Sequence, residues 1–497
     1  MMDTTTPLPG PVISAQTVRN LLMCERRVWL DAHGDYTLRG KVPDEVHRLY
    51  ILGSLHEQRL HEATAGEIGA ISISSWDEGV AVTADLMARG VPGIIGACLE
   101  VRAPLDLSDT LYTVRGRVDR LVRVVHHGDR LYSPVEIKQH ASPVDADWVQ
   151  LDFYVWLLGL IQGRTPPAEL WLGADAYGEP RRRLVHEYDE DRLIEALARV
   201  VALLGAANEP PVHLAPHCQS CPWYGLCQER ARHDHSIDLL YGVSRRTREQ
   251  MRLAGLVTLA HVAALTPEAL QQVKGIGPVS APAIHANARA WLAQRPVWYR
   301  PVPDICTRGG WMFDLETLEV RGKTVPWCMG WCDVQGNTQI ALVGPVQVPE
   351  PLTLSDGQAI TVVPDSDSAW ETFAAAVAGD DSPIFHWSGY DASLLRGTAP
   401  TAVRKQLELR FHDLHATLKR TVSLPLHSTS IKIVSAYLGF PWPGYADWFA
   451  AYLDYRYWLD ENNLEALAHA CLYQRADVQS LAWVWRWMVS ERLATPD

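Results

Sequence analysis

Apolar and polar residues alternate along two neighbouring stretches. Val114, Val118, Leu121 and Val122 fit one strand and Leu131, Val135 and Ile137 a second, joined at His126-His-Gly-Asp129 as a hairpin. On the second strand Glu136 and Lys138 are two residues apart, so their side chains leave one face, where Asp119 of the first strand can meet them. Ahead of the hairpin the pattern predicts helices over Ser14–Cys24 and around Ile51–Glu57, then strands near 70–74 and 93–100. After it, Trp148-Val-Gln150-Leu-Asp-Phe-Tyr154-Val-Trp-Leu-Leu switches to helical spacing, and Gln150 and Tyr154 share a face.

The period changes twice more. From about Ser236 to Pro296 it is helical, with Leu256–Leu270 leading into Val273-Lys274-Gly275-Ile-Gly277-Pro-Val-Ser-Ala281. Gly275 and Gly277 permit a tight turn, whose backbone N–H groups at a helix N-terminus can hold a phosphate. After Pro301, strands are expected over 310–317, 327–334 and 339–344, and Asp314 and Glu316 project from one face of the first. Ile384–His386 reads as a strand end entering a helix that carries Asp391. Near the C-terminus 464–471 and 477–488 are helical, with Tyr473 and Asp477 four apart on one face.

Length adds a domain count. At 497 residues the chain exceeds one core's usual size, and the pattern shifts divide it into an α/β domain over 1–235, a small helical one over 236–298 and a second α/β domain over 299–497. An apolar fraction of 47% and a charged fraction of 21% describe a globular protein. No apolar run approaches the ~20 residues of a membrane helix, and the N-terminus lacks signal-peptide order, so a cytoplasmic protein without a membrane partner is expected. The net charge of -13 opposes non-specific nucleic-acid binding but leaves room for a local basic groove and for carboxylates that hold metal. Nine cysteines in such a chain favour metal binding over a disulfide framework. Cys98, Cys306, Cys328, Cys332 and Cys471 sit in apolar settings and are expected to be buried; Cys24, Cys218, Cys221 and Cys227 stand apart.

Two carboxylates and an ammonium at one point suit a hard divalent cation, an activated water and a phosphate, although E-x-K alone is better read as a salt-bridged hairpin edge. His56, Asp119, Glu136, Lys138, Gln150 and Tyr154 spell G-x-x-H, G-x-x-D, E-x-K and Q-x-x-x-Y in order. This series resembles the RecB-like branch of the PD-(D/E)xK nuclease superfamily, with a restriction-endonuclease-like fold. The resemblance implies that His56, Asp119, Glu136 and the Ile137 carbonyl ligate Mg2+ or Mn2+. It implies that Lys138 orients or deprotonates the attacking water, and that Gln150 and Tyr154 position the strand's backbone. Cys218-x2-Cys221-x5-Cys227 after these motifs and Cys24 before them resemble the iron–sulfur-bearing members such as AddB and the CRISPR-associated exonucleases. That implies a [4Fe–4S] cluster stapling the domain's ends, with Zn2+ at the same thiolates as the alternative.

The run Val273–Ile284 resembles a helix-hairpin-helix motif and implies DNA contact through Lys274, Gly275 and Gly277; a structural hairpin joining two domains is the other reading. Asp314-x-Glu316, His386 to Asp391, and Tyr473-x-x-x-Asp477 resemble the Tyr subtype of the DEDD 3′→5′ exonucleases, on an RNase H-like fold of YprB-like type. The resemblance implies that Asp314, Glu316, Asp391 and Asp477 hold two divalent ions while Tyr473 orients the water, with Asp413 structural. The whole arrangement implies a two-site, metal-dependent nuclease on single-stranded DNA ends, in repair or defence, with a helicase as candidate partner. A nucleic-acid-binding scaffold with one active centre, and an RNase working through the C-terminal domain, are the alternatives.

Overall fold

The computed structural model describes residues 11–41, 53–54, 57–58, 60, 68–70, 75–105, 110–140, 142–173, 180, 182–320, 323–345, 352–354, 357, 359–379, 381–443 and 448–491. The chain divides into two compact units, Met1–His213 with Ser220–Leu226, and Leu214–Gln219 with Cys227–Asp497. Among the described residues, no helix is long and apolar enough to cross a membrane.

The first unit is built on one sheet. Its strands are β1 (Val12–Ser14), β2 (Ile68–Ala70), β3 (Gly93–Pro104), β4 (Leu111–His126), β5 (Asp129–Lys138), β6 (Ala168–Leu172) and β7 (Arg182–His186). They run in the order β2-β3-β4-β5-β6-β7, and β1 pairs with β4. The β4–β5 turn holds His127 at φ 48 and Gly128 at φ 88, two left-handed residues whose twist matches that of a tight hairpin. Arg120 then faces Val135 and Leu121 faces Pro134. Val135 and Ile137 pack with Leu60 and Trp171 on one face of the sheet, so strand alternation sends Glu136 and Lys138 to the other. The helix Asp145–Gln162 covers that other face. It is apolar nearly all round because Val149, Phe153 and Leu157 meet both the sheet residues Val114 and Val118 and the helical residues Val18, Leu21, Leu197 and Val200.

In the second unit the stretch 245–293 holds the helices Arg245–Leu253, Leu259–Ala263, Pro267–Leu270 and Ala281–Ala293. Asn287 of the last is buried; its Oδ1 accepts from the Tyr241 N–H at 3.0 Å and its Nδ2 donates to the Leu424 carbonyl at 2.9 Å. β8 (Val297–Trp298) pairs antiparallel with Val422–Ser423, so this helical segment and the chain beyond it share one compact unit. The larger sheet comprises β9 (Trp311–Val320), β10 (Lys323–Cys332), β11 (Thr338–Val343), β12 (Leu352–Thr353), β13 (Ala359–Val363), β14 (Ile384–His386) and β15 (Phe411–Asp413), in the order β12-β13-β11-β10-β9-β14-β15. β9 lies inside it, antiparallel to β10 and parallel to β14. Phe313, Trp370 and Phe373 stack into one core, while Cys328, Ala470, Cys471 and Tyr473 belong to another. The two C-terminal helical stretches are one 27-residue helix, Leu464–Ser490. Leu472–Ala476 between them contain no Gly or Pro to break it.

Candidate functional site

Asp119 meets the E-x-K strand through the backbone: its Oδ2 accepts a 2.7 Å hydrogen bond from the Ile137 N–H. Lys138 Nζ is ion-paired with Glu136 Oε1. Glu136 is only 1% exposed, and its second oxygen, Oε2, is buried without a hydrogen-bond partner among the described residues. Burial, then the neighbouring Asp119 charge, pushes Glu136 up to about 8. Burial likewise pushes Asp119 up to about 6, with Lys138 opposing the rise and Glu57 adding to it. Burial disfavours the Lys138 ammonium too, but the charges of Glu136 and Asp119 outweigh it and hold its pKa above the ordinary lysine value. Crowded acids with an unpaired oxygen form a donor set that a hard divalent cation completes.

Gln150 and Tyr154 stand one turn apart beside this group. Gln150 Nε2 donates to the Tyr154 hydroxyl at 3.1 Å, and that hydroxyl donates to the Arg117 carbonyl at 2.7 Å. A Cβ on Gly116 would sit 2.9 Å from the Tyr154 ring, which explains a glycine three residues before Asp119. His56 lies outside the described residues. Two residues that the sequence left unremarked join the centre. Glu57 is raised by burial and then by the Glu136 charge, and so adds a third carboxyl. Arg19 donates to Asp147 Oδ1 at 3.1 Å and to Gln150 Oε1 at 2.9 Å, and its charge is felt at Glu136 and Tyr154. Glu57 has one signal, its place beside His56; Arg19 has none, being an ordinary polar position on an amphipathic helix.

In the second unit Asp314 and Glu316 leave β9 on one face and Asp477 comes down from Leu464–Ser490; one carboxylate oxygen from each lies within 4.8 Å of the others. Asp391, 4% exposed at the start of Gly389–Thr398, is outside that trio. Its Oδ2 stands 3.7 Å from His386 Nδ1, yet its charge raises Asp314, Glu316 and Asp477. Burial is the largest cause at all three. It lifts Asp314 and Glu316 well above the carboxylate range and Asp477 up to about 6, where Lys432 opposes it. Asp477 Oδ1 is buried without a hydrogen-bond partner among the described residues, so here too the donors fit a cation. Burial also raises the Tyr473 phenol, which therefore acts as a neutral hydroxyl. Gln474, next to Tyr473, donates from Nε2 to Asp314 Oδ2 at 2.9 Å. A Cβ on Gly330, opposite Asp314 in the register, would collide with it at 2.8 Å.

Cys24 joins the helices Ala15–Met23 and Glu25–His33 in an extended conformation. Burial raises the Cys221 thiol, and the Trp223 backbone and Arg27 pull it down; Cys24 is close enough to act on it as well. Cys218 is buried, its Sγ accepting from the Ala215 N–H at 3.3 Å, and Cys227 is half-buried on Tyr224–His233. Cys98, Cys306, Cys328, Cys332 and Cys471 are all buried. In the helical hairpin Gly275 has φ +95 and Lys274 is exposed. The Gly277 N–H donates to Ser280 Oγ at 3.0 Å, so the chain itself already caps one of the amides expected to face a phosphate.

Residues 13–228 match the family model of the PD-(D/E)XK nuclease superfamily, and residues 311–489 match that of the RNase_H superfamily. The chain is a multidomain α/β protein with a PD-(D/E)XK domain and a C-terminal RNase H-like domain. Among solved structures, that of SSO0001 is 16% identical over 45% of this chain and 89% of its own, with a TM-score of 0.26. That of Scheffersomyces stipitis Rai1 in complex with (3'-NADP)+ and calcium ion is 10% identical, with a TM-score of 0.14; it covers 46% of this chain, which spans 62% of Rai1. None of the curated proteins matches the chain. The two matched domains are those of a metal-dependent nuclease, a hydrolase of phosphodiester bonds that binds nucleic acid.

Proposed function

From a chain that carries two nuclease-superfamily domains, we propose an exonuclease that degrades single-stranded DNA from its ends, with a catalytic centre in each domain, in DNA repair or defence. One repeated observation supports this reading most: each domain buries an acidic cluster with a carboxylate oxygen that has no hydrogen-bond partner among the described residues, Glu136 Oε2 and Asp477 Oδ1.

In the first centre His56, Asp119, Glu136 and the Ile137 carbonyl would hold Mg2+ or Mn2+; in the second Asp314, Glu316, Asp391 and Asp477 would hold two such ions. Bound there, the ions supply Lewis-acid polarisation of the phosphate and a more acidic water. Lys138 Nζ orients the attacking water and balances charge that gathers on the phosphoryl oxygens. Gln150 and Tyr154 align the strand's backbone so that the scissile bond sits over the carboxylates. At the second centre the Tyr473 hydroxyl orients the water, and cleavage there runs 3′→5′. Lys274, Gly275 and Gly277 grip the DNA backbone, a role to which the exposed Lys274 contributes most. Cys24, Cys218, Cys221 and Cys227 hold a structural [4Fe–4S] cluster. A helicase that supplies single strands is the partner such an enzyme would use.

The test is cleavage of end-labelled DNA and RNA strands of one sequence with Mg2+ or Mn2+, by the wild type, Asp119→Ala, Asp314→Ala and the double variant. We expect each single variant to keep part of the DNA cleavage and the double variant none. If one substitution removes all activity, the other domain is a scaffold; if RNA is cut in preference to DNA, the enzyme is an RNase.

A further inference from the structure

We propose that Lys432 is a positioning residue of the C-terminal centre, fixing the Tyr473 phenol and supplying a resident positive charge that the metal ions must work against. The proposal rests on the reading of that centre as a metal-dependent nuclease site.

Lys432 is the second residue of the helix Ile431–Tyr437, whose first turn is capped by Ser430. Its Nζ donates to the Tyr473 hydroxyl at 3.0 Å and lies 4.7 Å from the centroid of the same ring. A phenol has one proton and two lone pairs, whereas an ammonium only donates. The lysine therefore occupies a lone pair of Tyr473, and the phenol's own proton must go elsewhere. The acceptor one helical turn on is the Asp477 carboxylate, whose pKa the Tyr473 hydroxyl lowers. The relay Lys432 to Tyr473 to Asp477 has a single direction, because reversing it would require the ammonium to accept. It ends on the carboxylate whose other oxygen is the unpaired Oδ1. The ammonium also lowers the pKa of both Glu316 and Asp477, so its charge reaches two of the three carboxylates that converge within 4.8 Å.

Two effects of opposite sign follow. As a charge, Lys432 repels an incoming cation. As a donor, it holds the phenol with its proton toward Asp477 and its second lone pair open to accept from the attacking water. Losing the lysine should therefore tighten metal binding while slowing turnover. A lysine that merely packed the helix against Tyr473 would, when lost, loosen the carboxylates and weaken both.

The experiment uses the full chain with Asp119→Asn and Glu136→Gln, so that metal uptake and cleavage report the C-terminal centre alone. In that background Lys432→Met, Lys432→Arg, Tyr473→Phe and the Lys432→Met/Tyr473→Phe pair are compared by calorimetric Mn2+ titration and by single-strand DNA kinetics. Lys432→Met should bind Mn2+ about fivefold more tightly and lose about 30-fold in kcat with KM changed less than about twofold. Lys432→Arg should recover most of the rate. The paired variant should be no slower than the slower single one, because both act through one hydroxyl. Weaker Mn2+ binding by Lys432→Met, or additive losses in the pair, overturns the proposal. If Lys432→Met does not fold, Lys432→Gln serves in the same comparison. A background that binds Mn2+ but cuts neither DNA nor RNA refutes the nuclease reading of this centre and leaves the titration to decide the lysine's role. A background that takes up no Mn2+ refutes both.

Discussion

At the scale of single residues, the acidic clusters set how the metal-free protein responds to pH. Burial is the main reason that Glu136 is pushed up to about 8 and Asp119 and Asp477 to about 6, and it lifts Asp314 and Glu316 as well. An unfolded carboxyl titrates near ~4. Such groups hold protons in the fold that the unfolded chain has already lost, so they cost stability as pH rises through that window. Buried histidines act in the opposite sense: burial lowers His415 to about 4 and lowers His412 and His427, which adds stability as pH rises toward ~6.5. Above that point only the carboxyl trend remains. In EDTA, Tm should fall between about pH 6.5 and pH 8, and Mn2+ should raise Tm more at the higher pH, because the ion displaces protons. Scanning calorimetry checks this, and a Tm that climbs across the same window in EDTA would refute the buried-carboxyl account. Glu136, Lys138, Asp314 and Asp477 were legible in the sequence because two-residue and four-residue spacings fix a shared face. Arg19, Gln474 and Lys432 were not. Arg19 reaches Gln150 and Gln474 reaches Asp314 only through tertiary packing, and no local period encodes a contact made across more than a hundred residues.

At the scale of elements, each centre sits where a strand meets a helix, and one of those junctions is strained. Ser388 precedes the Gly389–Thr398 helix with φ 132 and ψ 168, a region that only glycine occupies at ease. The strain is held by local bonds: Ser388 Oγ accepts from the Tyr390 N–H at 3.3 Å, and its carbonyl accepts from His386 Nδ1. Ser388→Gly keeps the carbonyl and loses a cap that glycine replaces at a cost of a few tenths of a kcal/mol. Relief of the strain should leave a net gain of about 1 kcal/mol, read from the urea midpoint; a net loss would mean that the backbone there is not strained. The elements themselves were largely legible. Alternation around His127-Gly128 marked the hairpin, and helical spacing marked Asp145–Gln162. The two C-terminal helical stretches expected from the sequence are one helix, Leu464–Ser490, because the run between them contains no breaker. The Gly275–Gly277 turn was legible as a turn. That Ser280 takes up the Gly277 amide was not, since an amide's partner follows from a rotamer rather than from residue order.

At the scale of the whole molecule, pattern shifts near Ser236 and Pro301 suggest three domains, and the helices of 245–293 lie in the compact unit that also holds the sheet after them. The shifts were legible because they are changes of period. Asn287 bridging Tyr241 and Leu424 was not, because it is one polar residue on an apolar helix. The cysteines pose a sharper whole-chain question, since Cys24 and Cys227 lie some two hundred residues apart in the sequence and the proposed cluster gives them a common purpose. A buried thiol resists ionisation, as Cys221 does, unless a metal takes the proton's place. On the proposed [4Fe–4S] reading, anaerobically purified protein should be brown, with about four iron atoms and about four sulfides per chain. Cys24→Ser and Cys221→Ser should lose that iron and melt earlier. Cys306→Ser, a buried thiol outside the set, should keep it. One zinc per chain in place of iron would assign the same four thiolates to a zinc site. Iron retained in both Cys24→Ser and Cys221→Ser would mean that these cysteines serve packing.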